Sequence, residues 1–148
     1  MSMTFDIQPE PGYLNVVATG RFSLPEAKRT FLQMLEAIAL HKCTKALFDG
    51  REIDGNPTTI ERFYYSEFAA KSALDIVGRS VFRPPQFAYV LREPMLDPTR
   101  FGEDVAVNRG MWVKAFDNPE QALQWLGVAP ATKLDRSGDA CIKHPAKD

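Results

Sequence analysis

The pattern of apolar and polar positions along the chain predicts strands that alternate with helices. Residues 5–7 alternate as a half-buried strand does, and the β-branched stretch 13–19 predicts a second strand after a Pro/Gly turn. Two short strands around such a turn predict an N-terminal β-hairpin. The period then becomes helical over residues 24–41, where Ser23 and Glu26 have the spacing of a capping box.

Further strands and helices follow in alternation. The apolar runs 46–48, 87–91 and 111–116 predict strands, and a polar loop is predicted at residues 50–57. Helices are predicted from Thr58 to Gly78, from Asp97 to Gly110 and from Asn118 to Gly127. In the first of these helices, large apolar residues are predicted to lie on one side: Ile60, Phe63, Tyr64, Phe68 and Leu74.

This element order predicts an α/β fold. Strands joined through helices form a mixed, mostly parallel β-sheet with about four helices, and the N-terminal hairpin adds an antiparallel pair. A chain of 148 residues suits one domain of this kind. We expect that domain to cover residues 1–127, followed by a polar C-terminal tail at residues 128–148.

Charge and hydropathy exclude several kinds of partner. The chain has 18 Lys plus Arg and 19 Asp plus Glu, so its net charge of −1 gives no reason to expect nucleic acid. No apolar run approaches the roughly 20 residues of a membrane span, so we expect no membrane insertion. The N-terminus has neither the basic region nor the apolar core of a signal peptide, which predicts a cytoplasmic protein.

The chemistry-bearing motifs of common enzymes are missing from the sequence. It contains no nucleophile elbow, P-loop or dinucleotide fingerprint, so we expect neither an enzyme nor a cofactor. Two histidines and two cysteines supply too few neighbouring ligands for zinc, and we expect no metal: His41, Cys43, Cys141 and His144.

Three stretches of the chain carry a family resemblance. They are Thr-Gly-Arg-Phe-Ser at residues 19–23, Phe-Asp at 48–49, and residues 97–126 with Asp-Pro-Thr-Arg-Phe-Gly-Glu at their start. The chain resembles the STAS-domain superfamily, in the branch similar to the SpoIIAA anti-anti-sigma factor, whose members are mostly uncharacterised bacterial proteins. The resemblance covers residues 5–127 and implies the same α/β fold. That fold is also similar to the fold of CRAL-TRIO lipid carriers, which implies ligand binding as an alternative.

The resemblance implies a phosphorylatable serine where the second helix begins. This chain has no serine there, and Thr58 and Thr59 are the candidate phospho-sites. A phosphate at a helix N-terminus would be stabilised by free N–H groups and by the helix dipole. However, Thr58 and Glu61 also form the pattern of a capping box, which explains both residue types without a phosphate.

Charged residues follow two of the predicted strands. Arg51 and Asp54 follow one strand and Arg92 follows the next, at the sheet edge where α/β proteins bind ligands. They are candidates for the rim of a ligand site, and the alternative is a solvated rim with weak ion pairs. Arg100 and Arg109 have acidic neighbours and are predicted to pair with Glu103, Asp104 or Asp117.

The second long helix carries an unusual run of aromatic residues: Phe63, Tyr64, Tyr65 and Phe68. Because successive helical residues are about 100° apart, this run covers more than one face. It predicts a dimer interface, a partner surface or a pocket wall, whereas a helix buried on two sides is the structural alternative.

These observations favour a non-catalytic binding or regulatory module that associates with itself, as a homodimer, or with a partner protein. The first alternative is a carrier or sensor of a small apolar or anionic ligand, held in a pocket between the second helix and the sheet. A further alternative is an anti-anti-sigma-type phosphoswitch.

Overall fold

A five-stranded sheet forms the centre of the structure, a computed structural model that describes residues 3–128. The strands are β1 (Thr4–Glu10), β2 (Tyr13–Arg21), β3 (Lys45–Asp54), β4 (Gln86–Val90) and β5 (Trp112–Phe116). The helices are α1 (Leu24–His41), α2 (Thr59–Asp75), α3 (Phe101–Asn108) and α4 (Pro119–Leu126). The predicted element order and fold class are confirmed, while the predicted tail lies outside the described residues except for Val128.

The strands lie in the sheet in the same order as in the chain, β1-β2-β3-β4-β5. The hairpin of β1 and β2 is antiparallel, and every other neighbouring pair is parallel. Parallel neighbours need a crossover connection, and α1, α2 and α3 provide one each.

The two faces of the sheet are covered differently. Helices α1, α2 and α3 pack with one face to form the main core, around Phe31, Phe87 and Leu14. Helix α4 covers the other face above β3, β4 and β5, where Leu126 and Val90 are buried. A candidate site enclosed by the fold therefore has to lie on the three-helix side or beneath α4.

Strand β3 is longer than the sequence indicates. The loop predicted at residues 50–57 is wrong over residues 50–54, because β3 continues beside β2 to the pair Arg21↔Asp54. The register shifts between Val17 and Thr19, so a β-bulge precedes this extension. Ile53 is buried there, but the polar residues around it conceal the strand from an apolar pattern.

Helix α3 begins at a different residue from the one predicted. Its N-cap is Arg100, in a left-handed conformation with φ 59° and ψ 30°. Asp97 lies before the helix, and its carboxylate accepts hydrogen bonds from the backbone N–H groups of Thr99 at 3.0 Å and Phe101 at 3.2 Å. Asp97 therefore organises the turn that leads into the helix.

Arg100 and Glu103 attach α3 to the free edge of the sheet. Their side chains form the predicted ion pair at 3.0 Å, and both reach Ala115 of β5. Ala115 N–H donates to the Glu103 carboxylate at 3.0 Å, and its carbonyl accepts from Arg100. The ion pair thus satisfies backbone groups that an edge strand otherwise leaves open.

The two predicted capping boxes differ in the structure. Thr58 accepts from Glu61 N–H at 3.1 Å, and the Glu61 carboxylate accepts from Thr58 N–H at 2.9 Å, so this box is complete. Ser23 caps α1, but the carboxylate of Glu26 accepts from the backbone N–H of Met3 at 2.6 Å. The chain before β1 therefore takes the place that Ser23 N–H would have.

The complete box gives a direct stability prediction. Replacing Thr58 with alanine should lower the free energy of unfolding by about 1 kcal/mol, because Glu61 N–H loses its acceptor. The matched control is Thr59→Ala, since Thr59 is exposed in the same turn and is not a cap. Denaturant unfolding of both variants checks this, and equal losses would contradict the cap's contribution.

Candidate functional site

An apolar cavity of about 150 Å³ lies between the sheet and helices α2 and α3, and we call it the α2 cavity. Its walls include residues from the sheet, from α2 and from the segment before α3: Phe48, Tyr65, Ala69, Tyr89, Leu96 and Val113. The sequence analysis proposed a ligand pocket between the second helix and the sheet, and the α2 cavity lies in that region.

Small side chains on α2 and α3 shape this cavity. The buried residues of α2 are Ser66, Ala69, Ala70 and Ala73. At Gly102 of α3, an added Cβ would lie 2.9 Å from the Ser66 hydroxyl oxygen, so glycine permits the close approach of the two helices. A helix with so small a buried face cannot fill the space between itself and the sheet.

The side of α2 on which the large apolar residues were predicted is buried only in part, since Phe68 packs against the main core while three other members are exposed. Ile60 is 64% exposed, Tyr64 49% and Leu74 40%. The helix buries its alanines, which carry little weight in an apolar pattern, and turns several of its large apolar residues outward.

Two tyrosine hydroxyl groups meet in the wall of the α2 cavity. The hydroxyl oxygens of Tyr65 and Tyr89 are 2.6 Å apart, and both residues line the cavity. The Tyr89 ring packs against Phe48 with centroids 4.9 Å apart. Burial raises the pKa of Tyr65 and of Tyr89 far above the ordinary value, so both hydroxyl groups remain protonated.

The charged residues around the cavity are already engaged by the protein. Arg62 donates to the backbone carbonyls of Pro94 and Met95, each at 2.8 Å, which ties α2 to the segment before α3. Arg100 and Glu103 bind each other and Ala115, while Glu61 belongs to the capping box and Asp97 to the turn before α3. Each charged side chain of the cavity lining within residues 3–128 therefore has a hydrogen-bond partner in the protein.

Only one member of the predicted aromatic run, Tyr65, lines the cavity. Phe63 is partly buried, with the Arg109 guanidinium 5.6 Å from its ring centroid, and Phe68 has Lys28 Nζ at 5.2 Å. Tyr64 remains half exposed. The run thus contributes to the cavity and to packing on both sides of α2, and leaves little aromatic surface free.

The predicted rim residues lie elsewhere, at the end of β3 and after β4. Arg51 donates to the two carboxylate oxygens of Asp49 at 2.9 and 2.8 Å, and Arg92 lies 3.9 Å from Glu52. Asp54 is exposed at the end of β3. None of the three predicted rim residues is in the cavity lining, which instead includes Arg62 and Arg100.

Arg109 does not pair with any of the predicted acidic residues. It lies 3.5 Å from Glu67 of α2, so it connects α3 to α2. The candidate phospho-sites Thr58 and Thr59 are both exposed at the start of α2, and the Thr58 oxygen is occupied as the helix cap.

Residues 3–128 contain neither a candidate metal site nor a candidate membrane span. Residues 3–128 contain no group of three or more His, Cys, Asp or Glu placed to hold a metal ion. No helix there is long and apolar enough to cross a bilayer.

Comparison with solved structures identifies the fold. An anti-sigma factor antagonist from Mycobacterium paratuberculosis gives a TM-score of 0.56 at 13% identity, covering 85% of this chain and 95% of that chain. An uncharacterised protein of the DUF3478 family with a SpoIIAA-like fold, from Shewanella loihica, gives 0.48 at 20% identity, covering 84% and 94%. No protein-family model and no curated protein matched the chain. The predicted STAS/SpoIIAA-like resemblance is confirmed for the fold.

The Asp49–Arg51 pair predicts a specific dependence of stability on pH. Burial opposes ionisation of Asp49, but hydrogen bonds from Arg51 and its positive charge outweigh that effect, so the pKa of Asp49 lies below its ordinary value. A lowered pKa in the folded state means that the pair stabilises the fold at neutral pH. That stabilisation is lost as the pH falls from about 5 towards 2.

Asp49→Asn should therefore lower the free energy of unfolding at neutral pH. Between pH 7 and acid, the free energy of unfolding should fall less in this variant than in the unmodified protein. Thermal unfolding across that pH range measures both effects. Asp75→Asn is the control, because Asp75 is exposed at the end of α2. An acid slope in Asp49→Asn equal to that of the unmodified protein would contradict the prediction.

Proposed function

We propose that this protein is a non-catalytic binding module that holds a small apolar molecule in the α2 cavity, as a carrier or a sensor. The observation that carries the proposal is the cavity itself, about 150 Å³ within the main core. An engineered apolar cavity of similar size in another protein binds benzene. The size and the apolar wall of the α2 cavity suit a ligand of that kind.

The energetic cost of the cavity supports a functional role. The cavity is partly open, and most of its wall is apolar. Apolar surface that faces water is unfavourable by roughly 25 cal/mol per Å² compared with the same surface buried. A bound apolar molecule would cover this wall, and because it binds only the folded state, it would stabilise the fold.

The groups around the cavity favour binding over catalysis. The lining found within residues 3–128 contains no histidine or cysteine. The two tyrosines are poor proton donors and acceptors at neutral pH because their pKa values are raised. Ser66 lines the same cavity without a neighbouring base to activate its hydroxyl group.

The proposal predicts that a small hydrocarbon binds in the cavity. Toluene at several times its dissociation constant should raise the melting temperature by a few degrees, through mass action. In Ala69→Leu the added side chain would occupy the cavity, so the same toluene concentration should give a much smaller shift. Differential scanning calorimetry measures both, and native mass spectrometry before and after denaturation would detect a carried ligand.

The control for Ala69→Leu is Ala39→Leu, a substitution of the same size on α1 outside the cavity lining. Its response to toluene should equal that of the unmodified protein. No shift in the unmodified protein would contradict ligand binding in the cavity. An undiminished shift in a folded Ala69→Leu variant would place the bound toluene elsewhere.

Association with a second copy or with a partner protein is the second candidate function. Ile60 and Tyr64 lie one turn apart on α2 and are 64% and 49% exposed, which favours a contact surface there. The structural relative that gives the TM-score of 0.56 is named an anti-sigma factor antagonist, a protein that acts on another protein. The phosphoswitch hypothesis belongs to the same surface, because Thr58 precedes it at the start of α2.

Sedimentation velocity over a range of concentrations tests the self-association branch. If the chain dimerises through this surface, Ile60→Ser with Tyr64→Ser should raise the dimer dissociation constant at least tenfold, which corresponds to about 1.4 kcal/mol. The control Leu40→Ser removes a leucine that is 76% exposed on α1, and it should leave the dimer dissociation constant unchanged. A protein that remains monomeric at every concentration, or a dimer insensitive to both changes, would exclude self-association through α2.

A further inference from the structure

The two tyrosine hydroxyl groups in the wall of the α2 cavity have two hydrogen atoms to donate but form only one hydrogen bond. Each hydroxyl group carries one hydrogen, and only one of the two can lie between the oxygens of Tyr65 and Tyr89. Neither hydroxyl group has another hydrogen-bond partner among residues 3–128. One O–H donor is therefore left without an acceptor from the described protein, in a wall where Tyr89 is only 9% exposed.

A buried donor without an acceptor is costly, and native structures rarely keep one without a reason. Because both tyrosines line the α2 cavity, an oxygen atom of a ligand could approach this donor. The raised pKa values keep the donor protonated over the physiological pH range.

The charges around the cavity indicate whether this ligand is neutral. Arg62 and Arg100, the two arginines of the lining, are engaged by backbone carbonyls or by Glu103. A charged ligand would lose its hydration against this mostly apolar wall, which is costly unless the protein supplies an opposite charge. The charged side chains of the lining already form contacts within the protein, and none of them points to a dedicated partner for such a charge. The cavity therefore favours a neutral molecule over the anion that the sequence left open.

We propose that the ligand of the α2 cavity is a neutral molecule whose apolar body carries one carbonyl or hydroxyl oxygen, which accepts a hydrogen bond from the Tyr65–Tyr89 pair. Its size is about six to nine non-hydrogen atoms, since a cavity of this volume holds benzene. This inference rests on the proposed function of the cavity and adds the polar group by which the ligand is recognised.

Two probes of equal shape separate the polar contact from apolar filling. Cyclohexanone and methylenecyclohexane differ only in an oxygen atom against a CH2 group. Calorimetric titration gives the ratio of their dissociation constants, which removes effects common to both probes. Comparing this ratio between variants also cancels the different hydration of the two molecules.

The informative variant is Tyr65→Phe with Tyr89→Phe. It removes both hydroxyl groups together, so it leaves neither of them unpaired and should fold. We expect the preference for cyclohexanone over methylenecyclohexane to fall about tenfold, because the ketone oxygen loses its donor. Tyr64→Phe removes a half-exposed hydroxyl group from the same helix and should leave the preference unchanged.

The outcomes separate this inference from the function on which it rests. If both probes bind but the double variant keeps the original preference, the hydrogen bond from the tyrosine pair to the ligand is overturned. The proposal that the cavity binds apolar molecules is then unaffected. A preference that falls only in Ser66→Ala would assign the contact to that hydroxyl group, which is 7% exposed and lines the same cavity, and would also overturn the hydrogen bond from the tyrosine pair. If neither probe binds to the unmodified protein, the proposed function and this inference both fail.

Discussion

The attachment of α3 to the sheet edge by Arg100 and Glu103 is the contact on which the candidate site depends. The next residue along β5 after Ala115 is Phe116, whose carbonyl accepts from Leu91 N–H at the end of β4. Because the backbone groups of successive strand residues point in opposite directions, the N–H and carbonyl of Ala115 point to the free edge of the sheet. Arg100 and Glu103 satisfy both groups and thereby hold α3 beside β5. The same two residues line the α2 cavity, so one set of hydrogen bonds protects an edge strand and fixes a wall of the site.

The α2 cavity combines two unfavourable features that one event would remove. An apolar wall that faces an open cavity is left uncovered, and a tyrosine proton without an acceptor from the protein forfeits a hydrogen bond. A more stable sequence could place a larger side chain at Ala69 and phenylalanine at both Tyr65 and Tyr89. A neutral ligand with one acceptor oxygen supplies both the contacts and the hydrogen bond, which is why we regard the two features as one site.

The sequence predicted the fold better than the site because local signals and tertiary contacts differ in kind. Caps such as Thr58 and stops such as Gly127 act within one turn, so they locate α2 and α4 directly. The apolar pattern did not reveal the small buried residues of α2, because Ser66 is buried against Gly102 and Ala69 lines the cavity. Two larger residues of the helix instead lie beneath cations, Phe68 under Lys28 and Phe63 under Arg109. The end of β3 was missed because its pairing with β2, and not its own polarity, makes it a strand.

Some of the site was nevertheless within reach of the sequence. Tyr89 lies inside the apolar run of residues 87–91, which predicts a buried strand. A buried tyrosine needs a hydrogen-bond partner for its hydroxyl group, so the sequence already indicates a polar contact at Tyr89. The position of Arg62 depends on a loop more than 30 residues away, and no local pattern reports it.

Glu61 lines the cavity and also closes the capping box with Thr58, so a phosphate on Thr58 would repel a carboxylate of the cavity wall. The ligand and phosphoswitch hypotheses therefore both involve the first turn of α2.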